Sequence, residues 1–171
     1  MTELRLQRLP DGQYCLSGID EGWEHILTSV PALLAEPQPP SVRERLLPNP
    51  TTNEAANRDW RELVAPELEA LWRSNYETMA EDLARMEDDP DQRDCCRVFF
   101  PENHAAAWLS AINQARLVLG SRWDVTEEDM NRPLHKLTTH ERDHDIFLIR
   151  LLEHVEVLFI KADETWPRKP A

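Results

Sequence analysis

The chain has 171 residues, of which 41% are hydrophobic and 30% charged, and its formal net charge is −13. This length and composition allow one domain with a buried core, which excludes a disordered chain, and the negative charge disfavours direct binding to polyphosphate. With only four glycines, tight turns are few, and neither GxxxxGK nor GxGxxG occurs. We therefore expect a single all-α domain over residues 1–171, a bundle of five or six helices with a small N-terminal β-hairpin.

The distribution of apolar residues does not predict a membrane-spanning protein. The longest apolar stretch, residues 146–158, is interrupted by charged residues and is far shorter than the roughly 20 residues that cross a bilayer. Residues 1–17 lack the apolar core of a secretory signal. These features predict a cytoplasmic protein with reduced thiols.

The first third of the chain predicts a hairpin, a helix and a surface connection. A Pro-Asp-Gly turn at residues 10–12 predicts a hairpin over residues 1–17. Apolar residues then recur at helical spacing after Asp20, and Pro31 should end or kink that helix near residue 30. The proline-rich segment 36–53 predicts a surface connection with only a short helical turn around residues 42–46.

Three helices are predicted in the middle of the chain. Residues 54–63 form one helix, and Pro66 opens another whose apolar stripe includes Leu71. An acidic loop follows at residues 88–98. Pro101 and Glu102 should open the next helix, with Gly120 as its left-handed stop.

The last part of the chain predicts two more helix starts. Thr126 with Asp129, and Thr138 with Glu141, have the spacing of capping boxes. The final helix should run to about Lys161 and is apolar around most of its circumference. We therefore expect this helix to be central in the bundle or covered by a partner, and we predict a homodimer formed through it.

One segment is similar to a zinc-enzyme motif. His140-Glu141-Arg142-Asp143-His144 fits HExxH, in which two histidines one turn apart bind zinc and the glutamate polarises a water molecule. Arg and Asp at the intervening positions are unusual for a buried active-site helix. A zinc-dependent hydrolase is therefore kept as an alternative, while no metal and no other cofactor is our main expectation.

A second alternative is a thiol-based redox switch. It would use Cys95 or Cys96 with Cys15, provided that the hairpin packs against the acidic loop. The surrounding aspartates should raise the thiol pKa values, which makes these cysteines poor nucleophiles.

Direct nucleic-acid binding is not expected, because basic residues form only two small clusters. These are Arg43 with Arg45, and Arg168 with Lys169. Charges of this kind usually serve to keep the surface hydrated.

A resemblance to a known family rests on the middle of the chain. The quoted segments are Arg45-Leu46-Leu47-Pro48, Ala107-Trp108-Leu109, Ile112-Asn113 and Arg116-Leu117-Val118-Leu119-Gly120-Ser121-Arg122. They resemble the bacterial domain-of-unknown-function 2017 family, and the likeness runs from the hairpin through Arg122. The resemblance implies a small, largely helical cytoplasmic protein. Actinobacterial members often lie beside the gene of the Clp protease adaptor or are labelled oxidative-stress transcriptional regulators.

These observations together predict a non-enzymatic regulatory or adaptor protein that acts through protein–protein contacts, and the resemblance implies a role in stress response or transcription regulation. Asn113, Arg116 and Arg122 are the candidate interaction residues, because their polar side chains could hold a carboxylate of a partner. The cysteine pair and the histidine-rich stretch 135–144 lie outside the family pattern and take no role from it.

Overall fold

The computed structural model describes residues 1–164, so Arg168 and Lys169 lie outside the described residues. The helices are α1 Glu21–Ala35, α2 Pro40–Leu46, α3 Glu54–Asp59, α4 Ala65–Leu83, α5 Ala105–Arg122, α6 Glu127–Asn131 and α7 Glu141–Glu164. The strands are β1 Arg5–Arg8, β2 Gln13–Ile19, β3 Glu87–Asp88 and β4 Cys96–Pro101. The chain is mostly helical, as predicted, with a small sheet.

The sheet is antiparallel, with the strand order β1-β2-β4-β3. The predicted hairpin is confirmed, since β1 pairs with β2 and places Leu6 opposite Leu16. However, β2 also pairs with β4, where Tyr14 lies opposite Phe100. The label all-α is therefore too narrow. The segment 88–98, predicted as an acidic loop, begins in β3 and ends in β4. β4 forms because Val98 and Phe100 alternate towards the core.

Helix α1 begins at a side-chain cap and continues past its proline. Asp20 Oδ1 accepts a hydrogen bond from the Trp23 backbone N–H at 3.0 Å. The predicted end near residue 30 is wrong, because the helix includes Pro31 and ends at Ala35. A proline removes one backbone hydrogen bond, and in return the added turn keeps Leu33 and Leu34 packed against the core.

Helices α3 and α4 are joined without a break by a π-helical turn over Trp60–Val64. The Ala65 N–H donates to the Trp60 carbonyl, five residues back. This wider turn accommodates Pro66, which has no N–H to donate, so the break predicted before it does not occur. Leu71, predicted in the apolar stripe, is 55% exposed instead.

Helix α5 begins later and ends later than predicted. Pro101 is the last residue of β4, and a 3₁₀ turn over Glu102–His104 precedes the helix. Gly120 lies inside the helix, and the left-handed position after it is Asp124, with φ of 50°. Gly120 has a different role: a Cβ there would lie 4.0 Å from Ile149 Cδ1, so the residue lies at the contact with α7.

Helix α7 is buried along one face and exposed along the other, so the predicted central position is not confirmed, and cover by a partner stays a prediction. It packs against α5, α6 and β1. Its buried positions are Ile146, Ile149, Leu152, Val155, Phe159 and Ala162. Phe159 meets an aromatic cluster in which the rings of Phe100 and Trp108 stack 4.6 Å apart. Within residues 1–164, no helix has the length and apolar character needed to cross a membrane.

Candidate interaction cleft

The described residues form a cleft of about 910 Å³. It lies between the segment after α1, the end of α5, the segment that leads into α7, and the first turns of α7. Its apolar lining includes Trp123, Leu134, Leu137 and Phe147. Leu134 is 52% exposed, which is unusual for a leucine in a concave site.

The charged lining of the cleft is mainly acidic. Glu36, Glu141, Asp143 and Asp145 line it, and Arg122 is the cation among the lining residues. Arg122 lies 3.9 Å from the carboxylate of Glu36. The cleft therefore combines apolar side chains with an excess of negative charge.

Asp143 holds the cleft wall in place. One of its carboxylate oxygens accepts hydrogen bonds from the Thr138 backbone N–H at 2.9 Å and the Thr138 hydroxyl at 2.8 Å. The other accepts from Arg132 at 2.8 Å. These donors, with the Thr138 N–H first, lower the pKa of Asp143 well below its usual range. Asp143 thus makes the contacts to Thr138 that the sequence predicted for Glu141.

A second carboxylate ties α6 to α7. Asp129 completes the predicted capping box with Thr126, which is confirmed, and its carboxylate also accepts a hydrogen bond from Arg142 at 2.6 Å. The hydrogen bonds from Thr126 lower the pKa of Asp129. On the opposite side, the Trp123 indole N–H donates to Asp145 at 2.8 Å. Asp129 therefore joins α6 to α7, and Asp145 holds Trp123 in place in the cleft lining.

The HExxH-like segment lies at the start of α7. His140 directly precedes the helix, and its Nδ1 accepts the backbone N–H of Arg142 at 3.2 Å. His144 lies one turn later, with Nδ1 3.6 Å from Asp145. Within residues 1–164, no group of three or more His, Cys, Asp or Glu side chains is arranged to hold a metal ion. Among the described residues, no third ligand joins the two histidines.

The three candidate interaction residues on α5 have different surroundings. Asn113 is exposed. Arg116 forms a salt bridge with Glu156 of α7, and Arg122 faces Glu36 at the cleft. Asn113 and Arg122 are nine residues apart, which places them on opposite sides of a helix with 3.6 residues per turn. The structure brings only Arg122 into the cleft.

The cysteines lie on the sheet and next to it. Cys15 on β2 is opposite Phe99, whereas Cys96 is opposite Ile19. Cys96 is therefore three residues along β4 from the partner of Cys15, or about 10 Å, whereas a disulfide needs Cα atoms within about 7 Å. Burial is the main cause that raises the pKa values of Cys15 and Cys96. Neighbouring carboxylates add to this for Cys96, in the predicted direction.

Sequence reasoning missed most of the cleft. Trp123 and Leu134 lie in short irregular segments, where no periodicity marks an apolar residue as exposed or buried. The signal that could have found Trp123 is a large aromatic residue directly after a helix end. A buried carboxylate, Asp82, was also missed: it accepts the Trp108 indole N–H at 2.8 Å and lies 3.0 Å from His104 Nδ1.

The fold and the cleft define a small, mainly helical protein with a four-stranded antiparallel sheet. A family model described as a domain of unknown function (DUF2017) matches residues 14–158, and the chain belongs to this family. The match extends beyond Arg122, where the resemblance seen in the sequence ended, and includes most of α7. No curated protein and no solved structure shows significant similarity to the chain.

Proposed function

We propose that this protein is a non-enzymatic regulatory or adaptor protein that binds a partner protein in the cleft at the start of α7. The observation that carries the proposal is the combination of Leu134, which is 52% exposed, with half-buried apolar neighbours in a cleft of about 910 Å³. Removing apolar area of this kind from water is the usual driving force of protein association.

The partner that fits best is a segment with both apolar and basic side chains. Its apolar residues would contact Leu134, Leu137 and Phe147, while its Lys or Arg residues would meet Glu141 and the other acidic residues of the cleft. The net charge of −13 favours the same partner through longer-range attraction. The family resemblance implies that such contacts serve regulation, in stress response or transcription.

A random peptide library displayed on phage tests this proposal. Selection on the immobilised protein should enrich peptides that carry Lys or Arg near large apolar residues. Leu134→Glu should abolish their binding, and Glu141→Lys should weaken it. Leu63→Glu is the matched control, because Leu63 is 68% exposed in the π-helical turn, away from the cleft.

The indole N–H of Trp123 gives a direct reading of the site, since its hydrogen bond to Asp145 lies in the cleft. Its NMR signal should shift when a selected peptide is added. Peptides that bind Leu134→Glu as well as the natural protein, or that leave the Trp123 signal unmoved, would contradict the proposed site.

The predicted homodimer remains a proposal and rests on the outer side of α7. Val157 and Ile160 are 36% and 58% exposed there, and Leu117 of the adjoining helix α5 is 51% exposed. Sedimentation velocity at increasing protein concentration should show a dimer that Ile160→Glu converts to a monomer. A natural protein that stays monomeric throughout would refute self-association through this face.

A further inference from the structure

The segment 165–171 has the sequence Thr-Trp-Pro-Arg-Lys-Pro-Ala and lies outside the described residues. It also lies outside the family match, which ends at residue 158. The segment carries a large aromatic side chain, Trp166, and two cations, Arg168 and Lys169, but no acidic residue. It therefore combines the apolar and basic side chains that the cleft at the start of α7 requires of a partner.

The apolar lining of the cleft suits the aromatic side chain of this segment. Trp123, Leu134 and Phe147 belong to that lining, and Leu134 is 52% exposed. A tryptophan side chain buries a large apolar area on such a surface, and tryptophan is enriched among the residues that contribute most to binding. The cleft therefore offers Trp166 a contact that removes apolar area of both sides from water.

One carboxylate of the cleft is suited to the cations of the segment. Glu141 is exposed and forms no ion pair with any residue among 1–164. Asp143, by contrast, already accepts a hydrogen bond from Arg132, and Asp145 accepts one from Trp123. A cation that arrives at the cleft therefore gains most from Glu141, whereas an acidic residue would be repelled there.

The length of α7 prevents the segment from reaching the cleft of its own chain. Phe147 is the last residue of α7 in the cleft lining, and the helix continues to Glu164, 17 residues later, which is about 26 Å at 1.5 Å per residue. Trp166 follows Glu164 by two residues, which span at most about 7 Å. Trp166 therefore cannot meet Leu134 of the same chain, and only another copy can bring the segment to the cleft.

We propose that the cleft binds residues 165–171 of a second copy of this chain. Trp166 packs on the apolar lining beside Leu134, and Arg168 or Lys169 pairs with Glu141. The contact uses a short segment, and the charge of −13 on each copy opposes their approach. The association is therefore weak, so that a partner with more contacts displaces the segment. Residues 165–171 thus act as a competitor that covers the cleft until a partner binds.

This inference rests on the proposed function, since it names an occupant of the same cleft. It is independent of the dimer proposed through the outer side of α7, because that contact uses Val157, Ile160 and Leu117. Ile160→Glu should therefore leave the binding of the segment unchanged.

Mixing two variants of the whole chain tests the proposal, since each keeps one half of the contact. Trp166→Ala keeps the cleft and is isotope-labelled, whereas Leu134→Glu keeps the segment and is added unlabelled. The indole N–H signal of Trp123 in the labelled chain should shift in the NMR spectrum, because its hydrogen bond to Asp145 lies in the cleft. The matched control is an unlabelled chain with both Leu134→Glu and Trp166→Ala, which should shift this signal far less.

An exchange of charges tests the ionic half of the contact. Arg168→Glu with Lys169→Glu in the unlabelled Leu134→Glu chain should weaken binding severalfold. Glu141→Lys in the labelled chain should then restore part of the affinity. Glu67→Lys is the matched control, because Glu67 is an exposed residue at the start of α4 and does not line the cleft.

Three results would overturn the proposal. The Trp123 signal stays unmoved at millimolar concentration of the added chain, the control chain without Trp166 shifts it equally, or Glu67→Lys restores binding as well as Glu141→Lys does. If selected peptides bind the cleft as expected while the added chain leaves the signal unmoved, the proposed function stands and only the segment is refuted as its occupant. If neither the peptides nor the added chain bind, both proposals fail.

Discussion

Replacing Asp82 with alanine should strongly destabilise the fold. Asp82 has no exposed surface, and its carboxylate is the acceptor for Trp108 at 2.8 Å and a neighbour of His104 and Arg85. It joins α4 to the start of α5, directly beside the stacked rings of Phe100 and Trp108.

The magnitude follows from these contacts. A hydrogen bond to a charged acceptor contributes about 1.5–3 kcal/mol, and removing one partner of a buried charged network costs about 3–5 kcal/mol in total. For a chain of this size the melting temperature falls by about 2–4 °C per kcal/mol, so Asp82→Ala should lower it by about 6–20 °C. Asp82→Asn retains one acceptor oxygen and should cost less.

Urea unfolding followed by tryptophan fluorescence measures this loss. Asp59→Ala is the matched control: this aspartate is exposed and makes no side-chain capping bond, so its change should stay within about 0.5 kcal/mol. A double-mutant cycle between Asp82→Ala and Trp108→Phe isolates the hydrogen bond. The reasoning is refuted if Asp82→Ala unfolds like the natural protein, or if Trp108→Phe costs the same in both backgrounds.

Three further predictions follow from single residues. Gly18→Ala should lower the free energy of unfolding more than Gly12→Ala. Both glycines have positive φ, but an added Cβ at Gly18 would lie 2.3 Å from the Glu3 carbonyl oxygen, whereas one at Gly12 meets nothing within 4 Å. Equal losses of stability in urea unfolding would contradict this prediction. The pKa of Tyr14 is raised to about 12 by burial and by its hydrogen bond to Asp163, so Asp163→Asn should lower it in an absorbance titration of the phenolate, and an unchanged pKa would argue against the contact. The folded-state pKa of Asp143 is lowered, so its stabilisation is present above the unfolded value of about 4 and is lost as pH falls. The stability difference between the natural protein and Asp143→Asn should therefore shrink in acid, and a difference independent of pH would speak against the network around this carboxylate.

The helix predictions were correct where the apolar periodicity extended over many residues and the signal for the helix start lay close in sequence. The helix start after Asp20 and the capping box of Thr126 with Asp129 are both confirmed, and each depends on residues that are close in sequence. The prediction failed at Pro31 and Gly120, because the local preference of proline and glycine is weaker than the packing of the surrounding turns. Strand β4 was missed for a related reason: its pairing partner, β2, is about 80 residues away in sequence.

For the candidate sites, too, the sequence named individual residues but not the long-range contacts that surround them. The sequence offered Arg122 as a candidate interaction residue, but its neighbour Glu36 lies on a distant segment, which no local pattern indicates. The HExxH-like spacing identified His140 and His144. A zinc site also needs a third ligand from another segment of the chain, and the sequence pattern alone cannot show whether one lies nearby.

The amino-acid sequence by itself determined the mainly helical character, the hairpin turn and the family. These properties arise from composition and from spacings of a few residues, and so they can be read along the chain. The tertiary structure decided the third and fourth strands, the environment of Asp82 and the shape of the cleft. Each of these depends on side chains that are far apart in sequence and meet only when the hydrophobic core forms, and no local pattern encodes that meeting.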